Sequence, residues 1–209
     1  MESQFLSQLD LGRIEFNLGL VSDSLEETIE WVEKSRDHRG AALHQDPHHG
    51  LARRDFIISS DALARNYLQV PEKLPRAQEV ISEGVREARN ALAAAPDNLE
   101  FRSQLTACLQ TAGIVEHELG RHESAEDFFH DADSHIQTLL EKDRVRFRGA
   151  VSTWLAERSE FRVLRNQSAD AEKDRQLSLQ LIDELLPTLL EGDPVREIAL
   201  ATRQKLLAK

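Results

Sequence analysis

The chain has 209 residues, a formal net charge of −11 and a single cysteine. A chain of this length can bury a sizeable core without a metal ion or a disulfide, and its negative charge disfavours phosphates and anionic lipids. We therefore expect no nucleic-acid and no membrane partner. Cys108 has no second cysteine to pair with, and the first residues lack the basic and apolar stretches of a secretion signal. These features favour a reducing, cytoplasmic location.

Apolar residues recur at helical spacing through most of the chain, as in the segment that follows Ala125. Its apolar residues are Phe128, Phe129, Ala132, Ile136, Leu139 and Leu140. Spacings of three and four place them on one face of a helix, and no stretch shows the alternation of a strand. Leu, Ala, Glu, Arg and Gln, which favour helices, outnumber the β-branched residues. The sequence predicts an all-α fold.

Helix-starting and helix-ending residues divide the chain into helix hairpins. In chain order they are a capping box at Ser24–Glu27, Asp46-Pro47, a loop between Pro71 and Pro75, Pro96-Asp97, Gly120, and Gly192-Asp193-Pro194. Each is a residue type that begins or ends helices, by capping, by a fixed φ or by a left-handed backbone. The predicted hairpins cover residues 4–46, 48–96, 98–142 and 144–192, within one domain.

A C-terminal helix over residues 194–207 follows the last hairpin. Leu200, Leu206 and Leu207 lie at positions from which they can cover that hairpin, as the capping helix of a repeat protein does. Pro187 lies inside an apolar helical run and removes one backbone hydrogen bond, so we expect a kink there.

The hairpins resemble one another in sequence. Asp97–Leu105 and Asp143–Val151 share Asp, Phe, Arg and an aliphatic residue at an offset of 46 residues, and Ala125-Glu126 matches Ala171-Glu172 at the same offset. Self-similarity at such a period is typical of helical repeat proteins. The chain is predicted to be an array of about four related hairpins.

Residues 111–132 carry the clearest version of this pattern and resemble the tetratricopeptide repeat. Gly113 matches the small residue that lets the second helix of that repeat approach closely, and Ala125 lies at the position that meets it. Phe129 and Ala132 match the residue that fills the gap and the one that packs on the next hairpin. Close helix crossing requires small side chains at the contact, whatever the family.

Small residues occupy the corresponding positions of the other hairpins. They are Gly19 with Thr28 and Ser35 in the first hairpin, Ala64 with Ala77 in the second, and Ser159 with Ala171 in the fourth. The period of 45 to 49 residues exceeds that of the standard repeat. Longer helices would account for this period, which is similar to that of the extended repeats of kinesin light chains and of regions attached to bacterial serine/threonine kinases.

The resemblance implies a right-handed α-solenoid with a concave groove that binds a peptide or protein segment. The groove residues it implies are Gln110, Ile114 and His117 in the third hairpin, Asp61 and Arg65 in the second, and Ala156 and Glu160 in the fourth. The negative net charge favours a neutral or basic segment. On this interpretation the chain is a non-catalytic interaction scaffold that needs no cofactor and no metal.

Two other functions are compatible with the sequence. The chain could be a spacer or oligomerisation module of a larger signalling protein, and a homo-oligomer fits that interpretation. It could instead be a helical metalloenzyme that uses its histidines, of which His44 and His48 have the spacing of zinc ligands on a helix. Asp46-Pro47 breaks the helix between them, and no catalytic motif is present, so we do not expect an enzyme.

Overall fold

The computed structural model describes residues 2–164 and 167–208, with side chains from residue 5 onward within those ranges. The described residues contain α-helices and short 3₁₀ turns but no β-strand, which confirms the all-α prediction. The helices are α1 (Glu2–Leu20), α2 (Leu25–Gln45), α3 (Gly50–Tyr67), α4 (Leu74–Ala94), α5 (Leu99–Glu118), α6 (His122–Leu164), α7 (Ser168–Leu185) and α8 (Pro194–Leu207). The 3₁₀ turns are Pro71–Lys73 and Leu186–Thr188.

The helix ends lie where capping residues predict them. The Ser24 hydroxyl accepts a hydrogen bond from the Glu27 backbone amide at 3.2 Å, and Asp193 accepts one from the Val195 amide at 2.8 Å. Gly120 and Gly192 have φ angles of 75° and 83°, the left-handed conformation that glycine adopts without strain. Local capping chemistry therefore accounts for these boundaries.

Helix α6 contains the predicted boundary between the third and fourth hairpins. Asp143 has non-helical φ and ψ angles of −155° and 72°, and it divides α6 into limbs over residues 122–142 and 144–164. Its carboxylate accepts a hydrogen bond from the Arg146 amide at 3.2 Å and so caps the second limb. Pro187 does not kink a helix, because α7 ends at Leu185 and the proline lies in a 3₁₀ turn.

Contacts within the chain define two compact units, Met1–Phe128 and Phe129–Lys209. The boundary lies inside the third predicted hairpin. Unit 1 contains α1 to α5 and the start of α6, and unit 2 contains the rest of α6 with α7 and α8. None of the helices in the described part of the chain combines the length and the apolar character needed to cross a membrane.

In unit 1, α1 and α2 run antiparallel and approach closely through glycine. A Cβ atom on Gly12 would lie 2.8 Å from Cγ of Arg39, and one on Gly19 would lie 3.0 Å from Val32. The Ser35 hydroxyl donates to the Gly12 carbonyl at 2.6 Å, and the Thr28 hydroxyl donates to the Gly19 carbonyl at 3.3 Å. The predicted pairing of Gly19 with Thr28 is confirmed, and Ser35 meets Gly12.

The later helices of unit 1 also pack in sequence order. On α4, a Cβ atom at Gly84 would lie 3.1 Å from Ser60 of α3 and 3.5 Å from the sulfur of Cys108 on α5. The buried aliphatic residues around this contact include Leu63, Ala64, Ala77, Ile81 and Leu109. Small residues thus allow α4 to pack closely between its two neighbours.

In unit 2, the second limb of α6 packs against α7, and α8 covers one end of that pair. The apolar cluster at this end consists of Ala156, Ile182, Leu185, Ala199 and Leu206. Leu206 is 2% exposed, whereas Leu207 is 55% exposed. Helix α8 therefore covers the hairpin with Leu206 as predicted, but Leu207 faces solvent.

Candidate binding cleft

A cleft of about 570 Å³ lies in unit 1 between the first turns of α2 and the 3₁₀ turn that precedes α4. Its lining residues are Leu25, Glu26, Ile29, Glu30, Glu33, Val70, Glu72 and Lys73. The capping box at Ser24 begins α2 at one wall, and Pro71 begins the 3₁₀ turn at the other. The cleft is therefore formed by two helix starts that are distant in sequence.

The base of the cleft is apolar. Ile29 is 5% exposed, and Leu25 and Val70 are half-buried. Such a surface gains free energy when an aliphatic side chain covers it, because apolar area is removed from water.

The rim of the cleft is acidic. Four of the lining residues are glutamates, and Lys73 is the one basic residue among them. Glu30 pairs with Lys34 at 2.6 Å. Glu26 and Glu72 are exposed, and neither has a hydrogen bond or an ion pair with another side chain in the described residues. The cleft thus offers two carboxylates that are available to a cationic ligand.

Glu33 is held by interactions with the residues behind it. The Tyr67 hydroxyl donates a hydrogen bond to Glu33 Oε1 at 2.5 Å, and Lys73 Nζ lies 3.5 Å from the same oxygen and 4.9 Å from the centre of the Tyr67 ring. Burial, followed by the hydrogen bond to Glu33, raises the pKa of Tyr67 well above its usual value. The hydroxyl therefore stays protonated and keeps Glu33 in place at neutral pH.

The predicted groove residues lie elsewhere, and three of them are buried. Gln110 is 1% exposed, Ile114 is 8% exposed and Ala156 is 7% exposed. They present very little accessible surface to a partner, because packing covers the helix faces that carry them. We therefore remove these three residues from the candidate binding surface.

Asp61 forms part of the contact between α3 and α5, and Arg65 is its partner on α3. One Asp61 oxygen accepts a hydrogen bond from the Thr111 hydroxyl at 2.5 Å, and the other accepts one from Arg65 Nε at 3.3 Å. These bonds satisfy the Asp61 carboxylate within the fold. Asp61 thus links α3 to Thr111 of α5, and Arg65 pairs with it along α3.

The last two predicted groove residues are half-buried. The His117 ring lies 4.8 Å from the His122 ring between their centres, and the Glu160 carboxylate pairs with Lys205 of α8 at 2.8 Å. None of the predicted groove residues lines the cleft. The sequence predicted the helix start at Ser24 and a loop between Pro71 and Pro75, but it gave no signal that these two segments lie side by side.

His49 and Cys108 have structural roles, whereas His44 and His48 are exposed. No group of three potential ligands among the His, Cys, Asp and Glu residues of the described ranges could hold a metal ion. His49 Nδ1 accepts a hydrogen bond from the Ala52 amide at 3.2 Å and caps α3. Cys108 is fully buried, and burial raises the pKa of its thiol well above the usual value. It packs as a small apolar residue, as predicted.

A second groove, of about 370 Å³, lies in unit 2 between the second limb of α6 and α8. Its lining is mostly aliphatic and includes Val145, Leu185, Val195 and Ile198, and Arg146 is the one charged residue that lines it. This groove lacks the acidic rim of the cleft in unit 1 and offers a ligand much less electrostatic selectivity.

The chain matches no protein-family model, and it has no significant similarity to a curated protein or to a solved structure. The geometry of the cleft is thus the basis on which a function can be assigned.

Proposed function

We propose that the chain is a non-catalytic protein-interaction module. Its cleft binds a segment of a partner protein in which Lys or Arg residues flank an aliphatic side chain. The observation that carries this proposal is the combination of an apolar base at Ile29 with the carboxylates of Glu26 and Glu72, which have no side-chain partner within the described ranges. An aliphatic side chain fits the base, and basic side chains on either side of it meet the carboxylates.

Electrostatics supports a basic segment over an acidic one. The formal net charge of −11 attracts cations to the whole molecule, and the glutamates concentrate that attraction at the cleft. Exposed ion pairs contribute little free energy individually, so the apolar base supplies much of the affinity and the rim supplies selectivity.

The packing of unit 1 supports a tetratricopeptide-like interpretation of the fold. Helices α1 to α5 pack in sequence order, and small residues lie at the contacts, as at Gly19 and Gly84. We propose that these helices form a repeat array and that the module acts in the cytoplasm, where a reducing environment suits the lone Cys108. The cleft lies between the start of α2 and the 3₁₀ turn that precedes α4. We propose it as the binding site in place of the groove predicted from the sequence.

The test is a binding measurement with two designed peptides. One is a fluorescein-labelled peptide of Leu and Lys residues, and the other has each Lys replaced by Glu. We expect the Leu/Lys peptide to raise the fluorescence anisotropy and the Leu/Glu peptide to leave it unchanged. The Glu26→Gln/Glu72→Gln variant should bind the Leu/Lys peptide roughly five- to tenfold more weakly, because two exposed charge pairs are lost.

The matched control is Glu191→Gln/Glu197→Gln, which removes the same charge from two exposed glutamates of unit 2. It should bind the peptide as the unmodified chain does, because these residues lie outside the cleft. Equal weakening in both variants would show that net charge and not the cleft drives binding, and it would contradict the proposal. Equal binding of the two peptides would contradict it as well.

A further inference from the structure

The cleft in unit 1 contains a cation of its own. Lys73 ends the 3₁₀ turn that forms one wall of the cleft, and it is the basic residue among those that line it. Its ammonium group lies 3.5 Å from Glu33 Oε1 and 4.9 Å from the centre of the Tyr67 ring. A carboxylate and the face of an aromatic ring both attract an ammonium ion. We call Glu33 and the Tyr67 ring the cation subsite.

The cation subsite is held in place by the fold and not by Lys73. Tyr67 is the last residue of α3 and is 2% exposed. Its hydroxyl donates a hydrogen bond to Oε1 of Glu33, on α2, at 2.5 Å. This bond positions the carboxylate beside the ring whether or not an ammonium ion is present. A ligand therefore loses little free energy in ordering the cation subsite.

Lys73 itself is bound weakly. Its side chain and that of Glu33 are 33% and 36% exposed, and an ion pair this open to water contributes little free energy. The separation of 3.5 Å between Nζ and Oε1 is also longer than a hydrogen bond between charged groups. The flexible stem of a lysine allows its ammonium group to turn into solvent. Replacing Lys73 in the cation subsite by another cation therefore costs little.

We propose that Lys73 is an internal competitor for the ligand of the cleft. In the free protein its ammonium group fills the cation subsite, and on binding a Lys or Arg side chain of the partner segment takes its place. This inference rests on the proposed function and adds a third basic side chain to the partner, since Glu26 and Glu72 meet the other two. A segment with two basic side chains leaves Lys73 where it is. Lys73 thus lowers the affinity for every ligand and selects those that carry a third cation.

The test is a titration of the Leu/Lys peptide with the full chain, followed by fluorescence anisotropy. Lys73→Met removes the ammonium group and keeps an aliphatic stem, so the circular dichroism spectrum should not change. This variant should bind the peptide roughly three- to fivefold more tightly, because the peptide no longer competes for Glu33. The matched control is Lys173→Met, which removes the same charge from an exposed pair with Asp170 in unit 2. It should bind as the unmodified chain does.

A second background separates competition for Glu33 from simple repulsion of the peptide. Glu33→Gln removes the charge of the cation subsite and keeps an oxygen that can accept the Tyr67 hydrogen bond. In that background Lys73→Met should tighten binding less than about twofold, because the two cations no longer compete for a carboxylate. An equal gain in both backgrounds would show that Lys73 only repels the peptide, and it would overturn the inference.

The remaining outcomes distinguish this inference from the proposed function. If the unmodified chain binds the Leu/Lys peptide and Lys73→Met binds it no more tightly, Lys73 is not a competitor and the proposed function stands. An equal gain in the Lys173→Met control would also overturn the inference, because net charge alone would then explain the effect. Failure of both the unmodified chain and Lys73→Met to bind the peptide would contradict the proposed function and this inference with it.

Discussion

Each unit of this molecule buries an arginine where helices meet, and the two side chains have different surroundings. In unit 1, Arg39 is 4% exposed; its Nη1 donates to the carbonyl of Asp55 at 2.9 Å, and its Nε has no partner among the residues that the structure describes. In unit 2, Arg158 is 3% exposed and donates to both oxygens of Asp174 at 2.8 and 2.6 Å and to Asp133 at 2.6 Å. One guanidinium is incompletely bonded, and the other is held by two carboxylates.

The pKa values of the two arginines shift in opposite directions. Burial lowers the pKa of Arg39 to about 10; the charge of Asp55 acts to raise this pKa, and the nearby cations Arg13 and Arg54 act to lower it. Burial also acts to lower the pKa of Arg158, but the hydrogen bonds and charges of Asp174 and Asp133 overcome it and raise that pKa. The comparison shows that the nearby carboxylates, and not burial alone, decide the direction in which the pKa of a buried guanidinium shifts.

The largest effect should follow Asp174→Asn. Arg158 and Arg162 are buried, and both pair with Asp174. The change removes the negative charge of that shared partner. Breaking a buried pair in this way costs about 3 to 5 kcal/mol of the free energy of unfolding. The measurement is urea unfolding followed by fluorescence of Trp154, with Trp31 replaced by Phe so that unit 2 alone carries the reporter.

The control for Asp174→Asn is Asp183→Asn on the same helix. Asp183 pairs with Arg203 in an exposed position, so its loss should cost less than about 1 kcal/mol. Similar losses for the two variants would refute the view that burial of the ion cluster gives Asp174 its importance.

A smaller effect is expected from Arg39→Met. Asp55 keeps its hydrogen bonds from Arg13 at 3.3 Å and from Arg54 at 2.8 Å, so its carboxylate remains paired. The loss of one hydrogen bond to a carbonyl is offset by removal of a costly buried charge, and the net change should be within about 1 kcal/mol. Urea unfolding followed at Trp31, with Trp154 replaced by Phe, measures it. If Arg39→Met lowered the free energy of unfolding as much as Asp174→Asn is expected to, the two buried arginines would not differ in their contribution to stability.

The smallest effect is expected from Arg144→Gln, which tests an exposed pair in unit 2. Arg144 donates two hydrogen bonds to Glu184 at 2.7 and 2.8 Å, and these bonds lower the pKa of Glu184 from its usual 4.5. Both side chains are more than one-third exposed, so the change should cost at most about 1 kcal/mol at neutral pH.

The pH dependence of that cost has a definite sign. A carboxylate with a lowered pKa stabilises the fold above its usual pKa, and this contribution disappears as the pH falls through the lowered value. The difference in unfolding free energy between the unmodified chain and Arg144→Gln should therefore be present at neutral pH and shrink in acid. A difference that persists unchanged in acid would show that Arg144 stabilises unit 2 by packing and not by its charge.

The sequence allowed prediction of those parts of the fold that depend on neighbouring residues. The caps at Ser24 and Asp193, the left-handed glycines and the interruption at Asp143 depend on a few adjacent side chains, and each marks a helix boundary. The pairing of Gly19 with Thr28 was also predictable, because a short turn fixes which residues of a hairpin meet. Short-range chemistry is sufficient for these features.

The candidate site could not be predicted because it depends on packing between distant segments. Gln110 and Ile114 occupy a helix face that periodicity alone does not identify as covered or exposed, and both are buried. Glu26 and Glu72 line the same cleft, although they are far apart in sequence and share no motif. Buried polar residues such as Arg39 also weaken the hydrophobic periodicity of the sequence, because an arginine is normally expected on the exposed face of a helix.

The two faces of α1 have a consequence for how this protein can evolve. Gly12 and Gly19 face α2 so closely that a larger residue at either position would require neighbouring atoms of α2 to move. The outer face has no such restriction, and residues there can be exchanged without disturbing the contact beneath. Selection can therefore remodel what α1 presents to its surroundings while the fold that supports it stays constant.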